Sequence, residues 1–563
     1  MAKAAVAGIS VIIVVGVVIG AVIGISRIGQ PNDDTGSEGN GSLSPKMKFV
    51  NSLCDSTSYK DNCLNSLSPV ANNASAEPND YLRAAIKATT IEVKKALEMS
   101  GVIGMATTSS YDRMSIEDCQ DLLQFAVDEL DASFSMVGNP EMHPVDDRVA
   151  ELKNWLSAVV SYQETCLDGI ENPELKTAMN NGLLNATQLT SNALAIVSEV
   201  AKILKALDVH LDGTKTNRRL LNVNGYPTWF SSADRKLLAS QDNGRLTPNA
   251  VVAKDGSGQF KTIAAALAAY PKKNNGRYVI YVKAGVYEEY ITVTKEQVNV
   301  FMYGDGPTKT IITGRKNNRQ GVPTFQTASF TAIGKGFIAK SIGFQNTAGP
   351  EGHQAVALRV QSDMSAFFNC RMDGYQDTLY VQTHRQFYRN CVITGTIDFI
   401  FGDSSTVIQN SLIIVRKPMD NQQNTVTAHG RKDKGERTGL VIQNCRIVPE
   451  EKLFPQRFKI RSYLGRPWKE YSRTVIMEST IGDLIQPEGW MPWSGDFALD
   501  TLFYAEYGNR GPGAATGKRV NWKGFKVITN KREALQFTAG PFLEGDKWLP
   551  GTTTPFDLGL TQN

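Results

Sequence analysis

The chain is poor in the residues that most often carry hydrolytic or metal chemistry. Five histidines are spread over 563 residues, and none has the paired spacing of metal ligands. No Gly-X-Ser-X-Gly motif occurs, which argues against the nucleophile elbow of a serine hydrolase. No tract rich in lysine and arginine is present, so nothing indicates a nucleic-acid partner. The sequence therefore predicts neither a metal site nor nucleic-acid binding.

Cysteine is also scarce, and its seven copies are unevenly placed. In an oxidising compartment, four cysteines in one small domain predict two disulfides, but their spacing leaves the pairing open. These four lie in the first half of the chain: Cys54, Cys63, Cys119 and Cys166. The other three, Cys370, Cys391 and Cys445, each follow an asparagine and are expected to be buried thiols.

The N-terminus contains the one long uncharged run, from Ala4 to Ser26. A run of this length can span a bilayer. We expect a signal anchor over residues 1–27 that holds the precursor at the membrane, with a cleaved signal peptide as the alternative. Either segment directs the chain into the secretory pathway, and three glycosylation sequons agree with that route: Asn40, Asn73 and Asn185.

The first half of the chain is predicted to be helical. Residues 28–46 are polar and rich in glycine and serine, as in a flexible stalk. Residues 47–207 have apolar side chains at helical spacing, which predicts a helical bundle. Residues 208–247 read as a solvated linker, and two dibasic pairs predict cleavage there by a processing protease. The pairs are Arg218 with Arg219 and Arg235 with Lys236.

Residues 248–563 change to short β-branched and aromatic runs separated by turn residues, which predict strands. Asn369, Asn390 and Asn410 recur at intervals of 21 and 20, and Phe344-Gln345-Asn346 precedes the first by 23. This repetition predicts a parallel β-solenoid with coils about 4.8 Å apart. A helix at Ile263–Ala269 is expected to cover its open end.

The two halves carry opposite charge. Residues 1–238 have a net charge of −8 and residues 239–563 a net charge of +12. The difference suggests that the halves are complementary partners, and the basic half suits a polyanionic substrate.

Two aspartates in the repeats suggest an active site. Asp398 follows Asp377 by 21 residues, so the two carboxylates should stack as a close pair with separated pKa values. One can then act as a general acid and the other as a nucleophile. The alternative for each aspartate is a turn cap. The same spacing also fits a retaining glycosidase.

Further residues complete a site for acyl transfer on an ester. Gln376 precedes Asp398 by 22 residues and Gln354 precedes Gln376 by 22, so both amides could stabilise an oxyanion. Arg466 is the candidate cation that keeps the nucleophile ionised. Tyr380 and Phe401 each follow an aspartate by three residues and are candidate platforms for sugar rings, with a core role as the alternative.

Four motifs of this region resemble the plant pectinesterases. They are Gly352-His353-Gln354-Ala355-Val356, Gly374-Tyr375-Gln376-Asp377-Thr378-Leu379-Tyr380, Asp398-Phe399-Ile400-Phe401-Gly402 and Leu464-Gly465-Arg466-Pro467-Trp468. The resemblance implies an all-β right-handed parallel β-helix over residues 248–563. It also implies hydrolysis of methyl esters in homogalacturonan in the plant cell wall, without a cofactor.

The resemblance assigns roles to single residues. Asp398 would be the nucleophile and Asp377 the acid and later the base, while Gln354 and Gln376 would stabilise the oxyanion. Substrate would contact Arg466, Trp468 and, less securely matched, Thr324.

Residues 47–207 resemble the pectinesterase inhibitor domain, an all-α four-helix bundle with Cys54–Cys63 and Cys119–Cys166 disulfides. This domain would dock on the catalytic cleft as an autoinhibitory pro-region until the linker is cut. Ser411 stands where many relatives have a cysteine, so Cys391 is expected to lack that disulfide. Cys391 is then expected to be a free thiol, with a bond to Cys370 on the adjacent coil as the alternative. A glycosidase or lyase acting on polygalacturonate, and a non-enzymatic pectin-binding protein, remain the alternatives.

Overall fold

A computed structural model describes residues 44–107, 109–138, 145–211, 247–274 and 276–561. They form two compact units, one helical and one rich in β-strands. The predicted membrane or signal segment and Asn40 lie outside the described residues, as do the dibasic pairs Arg218–Arg219 and Arg235–Lys236. Within the ranges that are described, no helix has the length and apolar character needed to cross a bilayer.

The helical unit consists of a short helical hairpin followed by four long helices. The hairpin helices are α1 (Pro45–Asp55) and α2 (Lys60–Ala71). The long helices are α3 (Pro78–Ala106), α4 (Ser110–Gly138), α5 (Val145–Gly169) and α6 (Pro173–Leu211). The helical spacing seen in the sequence reflects their packing, since Ala193, Ile196 and Val200 are buried on one face of α6. The predicted helical bundle is confirmed.

Local signals fix where these helices begin. Ser44 precedes α1, and its hydroxyl accepts a hydrogen bond from the Met47 amide at 3.2 Å. At the start of α3, the Asp80 carboxylate accepts the Glu77 amide at 2.9 Å, and Pro78 occupies the first turn. Both devices satisfy amides that have no partner within a helix.

Two disulfides join the helices in pairs. Cys54 is bonded to Cys63 between α1 and α2, and Cys119 is bonded to Cys166 between α4 and α5. This is the pairing that the family resemblance implied. Of the predicted sequon asparagines, Asn73 and Asn185 are described and both are exposed, and their glycosylation remains a prediction.

The β-rich unit contains three parallel sheets, named sheets A, B and C. Sheet A contains β1 (Ala250–Val252), β2 (Tyr278–Val282), β5 (Val300–Gly304), β8 (Ile338–Lys340), β11 (Ser365–Phe368), β14 (Arg385–Arg389), β17 (Ser405–Gln409), β20 (Gly439–Gln443), β23 (Arg473–Met477), β25 (Phe503–Tyr507) and β26 (Phe525–Val527). Sheet B contains β3 (Gly285–Glu288), β6 (Thr310–Gly314), β9 (Gly343–Asn346), β12 (Arg371–Asp373), β15 (Val392–Gly395), β18 (Leu412–Val415), β21 (Arg446–Pro449) and β24 (Thr480–Ile481). Sheet C contains β4 (Ile291–Val293), β7 (Phe330–Ala332), β10 (Leu358–Val360), β13 (Leu379–Val381), β16 (Ile400–Gly402), β19 (Asn424–His429) and β22 (Ser462–Gly465).

Successive strands visit the three sheets in turn, and each strand pairs with its counterpart one coil away. Leu358 of β10 pairs with Leu379 of β13, which pairs with Ile400 of β16. The shift of 21 residues per coil is the period seen in the sequence. The predicted parallel β-helix is therefore confirmed, and its interior is a continuous apolar core between the sheets.

The recurring asparagines occupy one turn of the solenoid, between sheets A and B. Asn369, Asn390, Asn410 and Asn444 all have a positive φ of 51 to 53°, a conformation that asparagine tolerates better than most residues. Asn346 does not belong to this column, which corrects the prediction from spacing. It ends a strand of sheet B, whereas the pairing of Phe368 with Lys340 puts Ser341 in the column position.

The residues that follow these asparagines point inward. Cys370, Cys391 and Cys445 are buried free thiols, as predicted. Ser411 occupies the same column, and its hydroxyl accepts the Cys391 amide at 3.0 Å. Cys391 has no disulfide in the structure.

Short helices cover parts of the solenoid. Helix α7 (Ile263–Ala268) packs its buried Ile263 and Leu267 onto the apolar core near the first coils, where a covering helix was predicted. Three C-terminal helices, α8 (Lys531–Leu535), α9 (Ala539–Leu543) and α10 (Gly545–Trp548), contribute to an apolar cluster on the outer side of sheet A.

Candidate active site

Several of the predicted site residues lie on the connections that lead from sheet B to sheet C, here called the B–C turns. Asp377 lies between β12 and β13, and Asp398 between β15 and β16. Gln354 lies on the B–C turn one coil before Asp377, and Thr324 on the turn before that. Because the coils are stacked, one edge of the solenoid presents these side chains as a column.

The two aspartates occupy equivalent positions on adjacent coils. Each lies two residues before a paired strand position, and the Asp377 amide donates to the Ile397 carbonyl at 3.1 Å. Both have a positive φ, 63° for Asp377 and 49° for Asp398, which few residues other than glycine, asparagine and aspartate adopt readily. The two residues are only 7% and 6% exposed. The predicted stacking of the two residues is confirmed.

Asp398 is held in place by one cation and one hydroxyl group. The guanidinium of Arg466 donates from Nε to Oδ1 at 2.9 Å and from Nη2 to Oδ2 at 2.6 Å. Thr425 adds a hydroxyl that donates to Oδ1 at 2.6 Å and accepts the Asp398 amide at 2.9 Å. Charge-assisted bonds of this kind fix the orientation of the carboxylate.

Asp377 has the opposite environment. Burial raises the pKa of its carboxyl well above the ordinary value, the negative charge of Asp398 raises this pKa further, and Arg466 partly opposes the two effects. Among the described residues, no group hydrogen-bonds the Asp377 carboxyl. The site therefore combines a carboxyl group of raised pKa, Asp377, with an oriented carboxylate, Asp398.

The two glutamines also stack across coils. The Ala355 amide donates to the Gln376 carbonyl at 3.3 Å. One coil later, the Asp377 amide makes the equivalent bond to the Ile397 carbonyl. Gln354 therefore aligns with Gln376, as the interval of 22 residues predicted. Both side chains are partly exposed, and neither amide has a hydrogen-bond partner in the part of the chain that the structure describes. Their N–H groups are available to a ligand.

Tyr380 and Phe401 do not offer ring faces to a ligand, which corrects the prediction that they are platforms for sugar rings. The rings stack on each other with centroids 4.2 Å apart and an angle of 15°, and both residues are buried. Tyr380 and Phe401 each point outward from sheet C, three residues after an aspartate. Because they pair on adjacent coils, their two rings are in contact. They form the apolar floor beside the carboxylates.

Trp468 lies over this floor. Its ring meets Phe401 edge-on at 5.9 Å and packs against Gly430, where a Cβ atom would come within 2.9 Å of the indole. A second tryptophan, Trp493, was not predicted. Its ring is 36% exposed and lies 4.3 Å from the Arg466 guanidinium, because the Met491 amide bonds the Gly465 carbonyl.

Thr324 begins a short 3-10 turn, and its side chain is partly buried. The neighbouring Phe325 packs against the cluster that contains Tyr380 and Phe401, and the Arg359 guanidinium lies 3.3 Å from the Phe325 ring centroid. Thr324 therefore lies at the border of the same surface. Its contact with substrate remains a prediction.

Known proteins share both units of this chain. The pectinesterase family profile matches residues 249–546, and the profile of the plant invertase/pectin methylesterase inhibitor family matches residues 48–196. Pectinesterase 1 of Citrus sinensis is 44% identical over 539 residues, which cover 94% of this chain and 91% of the relative. Pectinesterase 4 of Arabidopsis thaliana is 41% identical and covers 99% of this chain and 100% of the relative.

The β-rich unit also resembles a solved structure. The pectin methylesterase from carrot is 54% identical, with a TM-score of 0.56. It covers 57% of this chain, and the match covers 100% of the carrot chain. The carrot chain therefore corresponds to one part of this protein and folds without the other part.

Proposed function

Because the chain belongs to the pectinesterase family and carries an inhibitor-family domain, we propose that it removes methyl esters from homogalacturonan through the Asp377–Asp398 pair. One observation supports this most strongly. Two stacked carboxyl groups differ in environment, since Asp398 is fixed by Arg466 and Thr425 while the Asp377 pKa is raised. A nucleophile and a general acid need this difference.

The reaction then has two steps. Asp398 attacks the ester carbonyl carbon, and the amide groups of Gln354 and Gln376 donate to the oxygen that becomes negative. Asp377 gives its proton to the departing methoxide, so methanol leaves and an acyl group remains on Asp398. In the second step, the ionised Asp377 removes a proton from water, the hydroxide displaces Asp398, and the sugar carboxylate is released. Arg466 and Trp468 contact the substrate beside the carboxylates.

Substitution of each carboxylate tests the proposal. Asp398→Ala and Asp377→Ala should each lower kcat for methanol release from pectin by at least about a thousandfold, because each removes a reacting group. Asp255→Ala removes an exposed aspartate from a turn of the β-rich unit and serves as the matched control. Full activity of either site variant would refute the assignment. New reducing ends in the product would instead indicate a glycosidase.

We also propose that the helical unit inhibits the β-rich unit until the linker is cut. The opposite charges of the two halves and the inhibitor-family match support this. The precursor would pass through the secretory pathway, carry glycans at the sequons and release the enzyme in the cell wall. The segment 248–563 should release methanol faster than the intact chain, and addition of segment 47–207 should lower that rate. Equal rates would exclude autoinhibition.

A further inference from the structure

The connection from β21 to β22, residues 450–461, is the B–C turn two coils beyond that of Asp398. Sheet B places β21 next to β18 and sheet C places β22 next to β19, so the turn continues the column that carries Asp377 and Asp398. With coils about 4.8 Å apart, it begins about 10 Å along the edge from Asp398. A polymer that lies along this edge reaches it.

Two phenylalanines on this turn are exposed. Phe454 is 53% exposed and Phe458 is 68% exposed. The guanidinium of Arg457 lies 3.9 Å from the first ring centroid and 4.2 Å from the second. Each ring is thereby held against one cation and keeps a large part of its surface in water. Exposed apolar groups that are held in place are typical of binding surfaces.

Arg457 is itself fixed. Its Nε and Nη2 donate to the two carboxylate oxygens of Asp483, both at 2.8 Å, and its Nη1 donates to the Phe454 carbonyl at 2.8 Å. A bidentate pair of this kind sets the plane of the guanidinium and therefore the placement of both rings. The arrangement of Phe454, Arg457 and Phe458 is here called the aromatic platform.

Three exposed cations flank the platform, and the exposed carboxylate of Glu451 precedes the first of them. Lys452, Lys459 and Arg461 are exposed, and none of them has an ion-pair partner among the residues that the structure describes. The adjoining Glu450 is engaged by Arg416 at 3.1 Å. The turn therefore combines aromatic surface with unpaired cations.

We infer that the aromatic platform and its flanking cations form an outer subsite for galacturonate units of the polymer whose ester lies at Asp398. The inference rests on the proposed function. The C–H face of a pyranose ring packs on aromatic surface, and free carboxylates of neighbouring units pair with Lys452, Lys459 and Arg461. Continuity with the catalytic edge and complementary charge both favour an acidic polysaccharide as the occupant.

The test uses segment 248–563, because the 54% identical carrot enzyme corresponds over its whole length to only one part of this chain. The double variant Phe454→Ala/Phe458→Ala should bind long polygalacturonate about tenfold more weakly, which corresponds to loss of two modest aromatic contacts. It should raise KM for pectin by a similar factor while kcat at saturation stays close to the wild-type value. Val286→Ala truncates another exposed apolar side chain, on β3 of sheet B, and should change neither constant.

The outcomes separate the inference from the proposed function. If the double variant binds and turns over like Val286→Ala, the outer subsite does not exist. If wild-type protein releases no methanol, the proposed function fails. Binding of polygalacturonate to the wild-type protein and the double variant would still test whether the aromatic platform binds the polymer. Lys452→Glu/Lys459→Glu should weaken binding to polygalacturonate more than binding to highly esterified pectin. Equal weakening would contradict the role given to the cations. Thermal unfolding curves establish that each variant is folded.

Discussion

The helical unit and the β-helix hold their polar groups in different ways. The helical unit packs apolar stripes and is joined by two disulfides, and ion pairs such as Lys60–Asp55 lie in solvent. The β-helix buries charged pairs, including Arg519–Glu506 and Asp363–Arg385. An α-helix forms its backbone hydrogen bonds within itself. In a solenoid, equivalent positions of successive coils lie directly above one another, so polar side chains at these positions come into contact. The stacking of Asp377 on Asp398 arises from that second property.

The largest expected effect concerns the disulfides. In the chain-entropy description, removal of the Cys119–Cys166 bond, which spans 47 residues, should cost about 4 kcal/mol of unfolding free energy. Removal of Cys54–Cys63, which spans 9 residues, should cost about 2.5 kcal/mol. Denaturant unfolding of paired Cys→Ser variants measures both. The transition of the β-helix should not move, and a matching shift there would show that the two units do not unfold separately.

The second effect compares a buried ion pair with an exposed one. Arg466→Met leaves Asp398, a residue that is 6% exposed, without its cation. The variant should lose about 3 kcal/mol of unfolding free energy at neutral pH. Lys60→Met breaks an exposed pair in the helical unit and should leave stability unchanged within error. Calorimetry of both variants makes the comparison. Similar small costs would mean that solvent screens Asp398 far more than its burial indicates.

Sequence reasoning found the parts of the site that follow the repeat. Asp377, Asp398, Gln354 and Gln376 keep intervals of 21 and 22 residues, so their stacking could be read directly. Thr425 was missed because a longer connection puts it 27 residues after Asp398, outside the regular period. The same spacing placed Tyr380 and Phe401 on the correct strands, yet it could not show that they cover each other's faces.

Trp493 was missed for a different reason. It reaches Arg466 through an irregular segment after the last strand of sheet B, where no repeat remains to be counted. Asn346 illustrates the opposite error. Its Phe-Gln-Asn motif and its interval of 23 residues suggested the asparagine column, but Asn346 ends a strand of sheet B. Periodicity predicts which residues stack. It does not reveal which turn of the coil a residue occupies, or which residues an irregular segment brings into contact with the site.

A third prediction concerns His429 in the β-helix. The pKa of its imidazole is lowered to about 3, mainly by burial and also by the nearby Arg473 and Arg431, against a hydrogen bond with the Ser404 carbonyl that raises it. Asp403 lies 3.9 Å from Nε2. The unfolded chain binds a proton near pH 6.5, so this group lowers stability as the pH falls from about 6.5 to about 3.

The expected slope from His429 is about 1.4 kcal/mol per pH unit. His429→Gln removes the proton-binding group, so its β-helix transition should depend less steeply on pH across that window. Unfolding of both proteins between pH 4 and pH 6.5 measures the difference. Parallel curves would show that the imidazole is not held neutral in the folded state.

The last prediction concerns the pH at which the Asp377 carboxyl titrates. Asp398→Asn removes the charge that raises the Asp377 pKa and leaves Arg466 uncompensated beside it, and both changes lower that pKa. In the wild-type protein Asp377 is protonated below its raised pKa, so acid catalysis should decline as the pH rises through that value. Infrared or NMR titration of the Asp377 carboxyl should move to lower pH in Asp398→Asn, while Asp255→Asn, in an exposed turn, should not move it. An unmoved titration would mean that burial alone raises the Asp377 pKa. The difference between the two carboxyl groups would then come from burial and not from the charge of Asp398 on the neighbouring coil.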